Sequence, residues 1–290
     1  MPHRWNPGYG SRLCSGFAAS AGTTPEGVES LELNLKGKTV LITGASKGIG
    51  YVIAETLAAE GCNLHIAARD EAALTELAWR LARDHGVEVT VHRSDLGLTA
   101  DVEALGKACA DVDILVNNAG DIPPGTLEEI DGETWRKAWD VKVYGYVDLT
   151  RLIYPRMCAR RSGVIINIVG AAARVPNYRY IAGCMANIAL NMFTQCLGGE
   201  SMRHNVRVVA INPGPTVPGR HLPHVMARAK RLLGDENRWP ELQSKFPAGR
   251  AGKASEIAEA VVFLASDRAG FISGATIEVD GGHSVHRPGA

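Results

Sequence analysis

The chain has 290 residues, 46% of them hydrophobic, and its 31 Lys and Arg balance its 31 Asp and Glu. That length suits one sizeable core, the zero formal charge argues against a nucleic-acid partner, and the lack of a run of about 18 apolar residues argues against a membrane span. Six cysteines, Cys14, Cys62, Cys109, Cys158, Cys184 and Cys196, show no CxxC spacing and no paired histidine cluster, which predicts no metal site and free thiols in a reducing compartment, the cytoplasm.

Residues 1–33 are rich in Gly, Ser, Ala and Pro, carry Arg4 and Arg12 with no acid before Glu26, and lack a helical period. They are expected to be a disordered extension ahead of a domain over 34–290, with organelle import the weaker alternative. From Lys38 the pattern turns regular. KTVLIT, a β-rich apolar run, leads through a glycine turn into a helical pattern ending at Glu60. CNLHIAA and a helix over 71–84 follow, then VEVTVHR and a helix over about 100–110. DILVNN precedes a long helix over 133–160. GVIINIV leads into a helix over 183–202, VRVVAIN into an irregular stretch over 213–250, and a helix over 255–265 precedes ATIEV. Strands alternating with helices predict right-handed βαβ units, and near-continuous apolar strands predict burial on both faces. The expected fold is α/β, a doubly wound parallel sheet of Rossmann type in a single domain.

TGASKGIG, residues 43–50, lies between the first strand and the first helix. Glycines there let the chain turn tightly and let backbone approach a pyrophosphate, while the helix N-terminus offers N–H groups and a positive dipole end. The order strand, loop, helix makes this a dinucleotide site rather than a simple turn.

Further marks follow: Ser94, Asp95 and Leu96 after the third strand, NNAG at 117–120 after the fourth, Asn212, Pro213 and Gly214 after the sixth, and ASEIAEAVVFLASDRAGFISGATIEVDGG near the end. With Gly44, Gly48 and Gly50 spaced G-x-x-x-G-x-G, they resemble the short-chain dehydrogenase/reductase family from about residue 35 to 282. The resemblance implies a seven-stranded sheet, a nicotinamide dinucleotide, a small ketone or alcohol as substrate, and a homodimer or homotetramer. It assigns cofactor contacts to Gly44, Ser46, Lys47, Gly48, Ile49 and Gly50, places Asp95 and Leu96 at the adenine, has Asn118, Ala119 and Gly120 support the cofactor, and sets Pro213 and Gly214 at the nicotinamide end. An NAD enzyme of this fold carries an acid at the end of the second strand to accept from the ribose 2′-hydroxyl. Here Ala68 stands at that position and Arg69 follows, with Lys47 a second cation. Two cations and no acid predict NADP(H) over NAD(H), with Asp70 read as a helix cap.

The family's proton donor is a tyrosine, helped by a lysine four residues later, a serine that orients the substrate oxygen, and an asparagine. Unperturbed tyrosine ionises near pH 10, so it needs the lysine and the cofactor's positive ring to work at neutral pH. By the resemblance, Lys142 stands at the asparagine position, Gly170 at the serine, Gly183 at the tyrosine and Asn187 at the lysine. All four usual positions are thus read as substituted, with Lys and Asn exchanged. That exchange is either a relocated cation acting as acid or binding an anion, or a coincidence in a site released from chemistry. Tyr180, one turn before Gly183, is a candidate substitute acid; Tyr178, Cys184, His221 and His224 are weaker ones. The stretch 215–250 matches the family's substrate lid and carries Arg220, Arg228, Lys230, Arg231, Arg238 and Lys245, which would suit an acidic substrate or form a solvated face.

Three readings stay open: an NADP(H)-dependent oxidoreductase with a non-standard proton donor, a nucleotide-binding partner or sensor without redox activity, and a non-redox lyase or isomerase. The first is the family-level expectation.

Overall fold

Every strand of the sheet runs parallel, because each apolar run returns through a helix before the next begins. The computed structural model describes residues 32–217 and 222–286. Residues 1–31, and with them the expected disordered extension, lie outside the described residues, as do Arg220, His221 and the side chains of His224, Arg228 and Lys245. Strands β1 (Thr39–Thr43), β2 (Asn63–Ala68), β3 (Val89–Arg93), β4 (Ile114–Asn117), β5 (Gly163–Ile168), β6 (Val206–Pro213) and β7 (Thr276–Val279) pair in the order β3-β2-β1-β4-β5-β6-β7. The order reverses between β1 and β4, which opens a crevice at the carboxyl ends of these two strands, the usual ligand position in a doubly wound sheet.

Neighbouring residues of a strand point to opposite faces, and here both faces are dry. Val40 and Ile42 pack with Ile53 and Leu57 of α1 (Gly48–Ala59) and with Ile257 and Val261 of α8 (Ala254–Ala265). Leu41 and Leu115 pack on the other face with Val102 and Leu105 of α3 (Thr99–Ala108) and with Leu149 and Ile153 of α5 (Gly145–Arg160). Helix α2 (Glu71–His85) begins where Asp70 accepts from the Ala73 N–H at 3.1 Å and ends at Gly86 in a left-handed conformation, so Asp70 is the cap that the sequence predicts.

Three segments differ from the sequence expectation. The long helix over 133–160 is split into α4 (Gly132–Trp139), a π-turn (Asp140–Tyr144) and α5, and Lys142 sits in the π-turn. Helix α6 (Ile181–Ser201) starts two residues early, which makes Tyr180 its cap residue. The irregular stretch holds α7 (Leu222–Leu233) and a 3₁₀ segment (Glu236–Lys245). Among the described residues one helix, Ile181–His204, is long and apolar enough to cross a membrane. It packs on the sheet through one face, with Ala182, Ala186, Leu190 and the hydrogen-bonded Thr194 buried and Met185, Ile188 and Met192 exposed.

Candidate active site

The glycine loop and the NNAG turn are stitched together at the crevice. Asn118 donates from Nδ2 to the carbonyls of Thr43 and Gly44 at 3.0 and 3.2 Å, and the N–H groups of Asn118 and Ala119 donate to Thr43 Oγ1 at 2.9 and 3.1 Å. Two glycines make this approach possible. Gly44 has φ +67° and a Cβ there would fall 2.8 Å from Ala119 Cα; a Cβ on Gly50 would enter Asn118 Nδ2 and the Gly44 carbonyl. Lys47 caps α1 without a side-chain bond to it and is exposed, as is Gly48, while Ile49 and Ser46 are half-buried. The cradle thus presents backbone N–H groups at a helix start to whatever binds there, a geometry that fits a pyrophosphate.

On the adenosine side Arg69 is exposed at the end of β2. Register adds a residue that sequence reasoning missed: Ala68 pairs with Arg93, which is also exposed. Arg93 is distant in sequence, and only strand pairing reveals it. Asp95 accepts from the Gly97 N–H at 3.0 Å, Leu96 is buried, and Ser94 Oγ is a buried hydroxyl with no protein partner.

The four catalytic-position residues converge at the ends of β4 and β5. Lys142 is buried, donates from Nζ to the Val169 carbonyl at 2.7 Å, and lays its alkyl chain on Gly120, where a Cβ would meet Lys142 Cδ at 2.9 Å. A buried ammonium is costly unless its donors are satisfied, so its place here is a specific feature. Gly170, at φ +147°, lies next to Val169, and a Cβ on it would fall 2.8 Å from Asn187 Nδ2. Lys142 and Asn187 therefore flank the turn after β5 but do not bond to each other: Asn187 is 2% exposed and its Oδ1 has no hydrogen-bond partner.

Tyr180 reaches the same place. A Cβ on Gly183 would lie inside contact distance of the Tyr180 ring, closest to Cε1 and the hydroxyl-bearing Cζ. The ring covers Gly183, and Tyr180, like Trp135 and Trp139, packs against the buried cluster of Ile122, Ala138, Val143, Ala182 and Ala186. Its backbone is fastened: Gly125 N donates to the Arg179 carbonyl at 2.8 Å, Tyr180 N to the Asn177 carbonyl at 2.9 Å, and Trp139 Nε1 to the Ala182 carbonyl at 3.1 Å. Tyr178 is directed elsewhere, since its hydroxyl donates to the Glu128 carboxylate at 2.7 Å and that bond raises its pKa. The Cys184 thiol is buried against the Val175 carbonyl at 3.8 Å. Beyond Gly170, its N–H donates to Asn212 Oδ1 at 3.2 Å, Asn212 Nδ2 donates to Glu278 Oε1 at 2.9 Å, and Arg174 pairs with Glu278 at 3.2 Å. Burial pushes the Glu278 carboxyl up. Glu278 carries no sequence signal, because only the β6–β7 pairing brings it under the site. Pro213 ends β6, and a Cβ on Gly214 would fall 2.7 Å from Asp280 Cα.

Among the described residues of the 215–250 stretch, three cations are paired. Arg238 grips Glu241 through two bonds of 2.7 Å, Arg250 grips Glu256 at 2.5 and 2.9 Å, and Lys230 lies 3.9 Å from Glu236. For these three cations the exposed pairing fits a solvated face.

The family described as enoyl-(acyl carrier protein) reductase matches residues 44–284. The chain is a short-chain dehydrogenase/reductase. Among its relatives, an uncharacterised oxidoreductase of Thermotoga maritima is 34% identical over 87% of this chain and 100% of its own. The 3-oxoacyl-(acyl-carrier-protein) reductase of Escherichia coli is 32% identical over 86% and 98%. L-sorbose reductase of Gluconobacter frateurii, solved with NADPH and L-sorbose, superposes with a TM-score of 0.84 at 32% identity, covering 89% of this chain and 100% of its own. The seven-stranded parallel sheet of this short-chain dehydrogenase/reductase is the one expected from its sequence, and the relatives named here are oxidoreductases.

Proposed function

We propose that the protein is an NADP(H)-dependent oxidoreductase that interconverts a small ketone and its alcohol, with the Tyr180 phenol as proton donor. The observation that carries this reading is the Tyr180 ring lying over Gly183, where the family's tyrosine would begin. On this reading all four usual catalytic positions, Lys142, Gly170, Gly183 and Asn187, are substituted, and the site is rebuilt around Tyr180. Gly183 leaves the room that the displaced ring needs, and Gly170 leaves room for the Asn187 amide. Lys142 holds positive charge at the carboxyl end of β5, which favours an oxygen that gains negative charge as the carbonyl is reduced. Asn187 Oδ1, buried without a partner, accepts from a substrate or bridging hydroxyl.

Gly44, Ser46, Lys47, Gly48, Ile49 and Gly50 would hold the cofactor's pyrophosphate, Asp95 and Leu96 the adenine end, and Asn118, Ala119, Gly120, Pro213 and Gly214 the nicotinamide end. The cofactor supplies the hydride. Arg69, Arg93 and Lys47 with no acid at Ala68 support a 2′-phosphate and hence NADP(H). Met185, Ile188 and Met192, exposed at helical spacing on α6, support a homodimer or homotetramer. Free thiols support a cytoplasmic location.

The test is steady-state NADPH oxidation against a ketone panel by wild type, Tyr180→Phe and Lys142→Met. Tyr180→Phe is expected to lower kcat by roughly 10²–10⁴-fold with NADPH affinity unchanged. Retained activity in Tyr180→Phe with complete loss in Lys142→Met would instead make Lys142 the donor.

A further inference from the structure

Away from the crevice, on the sheet face covered by α3 and α5, three potential metal ligands meet. His65 lies on β2, His92 on β3, and Cys109 is the cap residue at the end of α3. His92 pairs with Ala67 in register, so the two histidines are diagonal neighbours on one face of adjacent strands. Their rings stack, with centroids 5.1 Å apart at 23°. His65 Nδ1 lies 2.8 Å from His92 Nε2, and Cys109 Sγ lies 3.6 Å from the same His92 nitrogen. All three ligand atoms fall within 4.8 Å of one another.

From this geometry we infer a binding site for a borderline-soft divalent ion, zinc(II), held by His65 Nδ1, His92 Nε2 and the Cys109 thiolate, with the fourth position open to water. With Zn–N near 2.0–2.1 Å and Zn–S near 2.3 Å, tetrahedral edges are about 3.6 Å for N···S and about 3.3 Å for N···N. The Cys109–His92 edge already has that length. The two imidazoles need to part by roughly half an ångström, and His65 Nδ1 and Cys109 Sγ, within 4.8 Å of each other, need to settle at about 3.6 Å, which side-chain rotations supply. Two imidazoles and a thiolate select zinc over magnesium or calcium, which take oxygen ligands.

The site is preorganised because each ligand stands on a different regular element. Cys109 is 1% exposed and anchored by its N–H to the Leu105 carbonyl at 2.9 Å, whereas both histidines are half-buried, which leaves a route from solvent at the sheet edge. Chain spacing concealed the cluster: 27 residues separate the histidines and 17 separate His92 from Cys109. The expectation of no metal rested on linear spacing, and the β2–β3 pairing supplies the juxtaposition that spacing lacks. An ion here would tie the outermost strand β3 to β2 and α3 immediately before Arg93 and Asp95, the segment assigned above to the adenosine end.

The test uses the full-length, untagged protein, stripped with chelator and titrated with cobalt(II) and then zinc(II). The expected result is one equivalent bound, with a thiolate-to-cobalt charge-transfer band that zinc bleaches. Losing even an outer-shell partner costs about 10–100-fold in metal affinity, so Cys109→Ser and His92→Gln are each expected to weaken binding at least about 100-fold and Cys109→Ser to abolish the band. Cys196→Ser, on an exposed thiol, is expected to leave both unchanged. No charge-transfer band in the wild type would overturn the inference without recourse to any variant. So would a band that survives Cys109→Ser.

Discussion

Gly183→Ala is a small substitution with a large expected effect, because the added methyl group would occupy space that the Tyr180 ring fills. Nonbonded carbons rest about 3.5–4.0 Å apart, so the ring must retreat by roughly 1–2 Å. Displacing a reacting group by about 1 Å can cost about 10²-fold in rate, and full removal of a general acid costs roughly 10²–10⁴-fold. Gly183→Ala should therefore lower kcat by about 10²-fold. Stability should change little. Alanine gains about 1 kcal/mol of helix propensity over glycine, overpacking costs about 1–3 kcal/mol, and the half-buried ring has solvent to move into. The assay is NADPH oxidation with the best ketone of the panel, beside Tyr180→Phe and the double variant. If the methyl group acts by moving the phenol, the double variant will be no slower than Tyr180→Phe alone. Activity of Gly183→Ala within about threefold of wild type, or losses that multiply in the double variant, would refute the reasoning.

The dinucleotide cradle gives two more expectations, and the Arg250–Glu256 pair gives a third. Arg69→Ala and Arg93→Ala should each raise the KM for NADPH by roughly 10-fold or more, the loss of a charge-assisted bond worth about 1.5–3 kcal/mol, with the KM for NADH unchanged; equal effects on both cofactors would remove the 2′-phosphate assignment. Gly50→Ala should abolish enhancement of NADPH fluorescence and lower Tm, since its methyl group would enter Asn118 Nδ2 and the Gly44 carbonyl; tight NADPH binding by this variant would contradict the packing described. Glu256, held by Arg250 and the Lys253 N–H, has its carboxyl lowered from 4.5 to about 2. A lowered folded-state pKa stabilises above the unfolded value and is lost as pH falls through the folded one. Glu256→Gln should therefore lower Tm at neutral pH, and its difference from wild type should shrink as pH falls from 4.5 toward 2; a difference independent of pH would exclude the ion pair as its source.

The layered fold was legible because its signals are local. KTVLIT, DILVNN and GVIINIV are apolar on both faces, and each is followed by a helical period, so a parallel sheet covered on both faces follows. The glycine loop and NNAG were legible for the same reason, since each motif sits in one turn. What escaped depends on contacts between distant segments. The π-turn at Asp140–Tyr144 has no breaker residue to announce it, and it aims Lys142 at the Val169 carbonyl. Tyr180 stands outside the helix by its own conformation, φ −148° and ψ 34°, yet its ring folds back over Gly183, and the bulk missing from Gly183 becomes meaningful only with that ring in view. Arg93, Glu278 and the His65–His92–Cys109 group are assembled by sheet register, which a single sequence does not display.

On the proposed reading, this site still transfers hydride. The most direct measurement supplies NADPH deuterated at the nicotinamide C4 to the wild-type protein with a ketone panel and follows the alcohol product by mass spectrometry. Deuterium is expected on the carbinol carbon of at least one product, with loss of that product in Tyr180→Phe. NADPH that binds with a quenched or enhanced fluorescence signal yet delivers no deuterium to any ketone would contradict that reading.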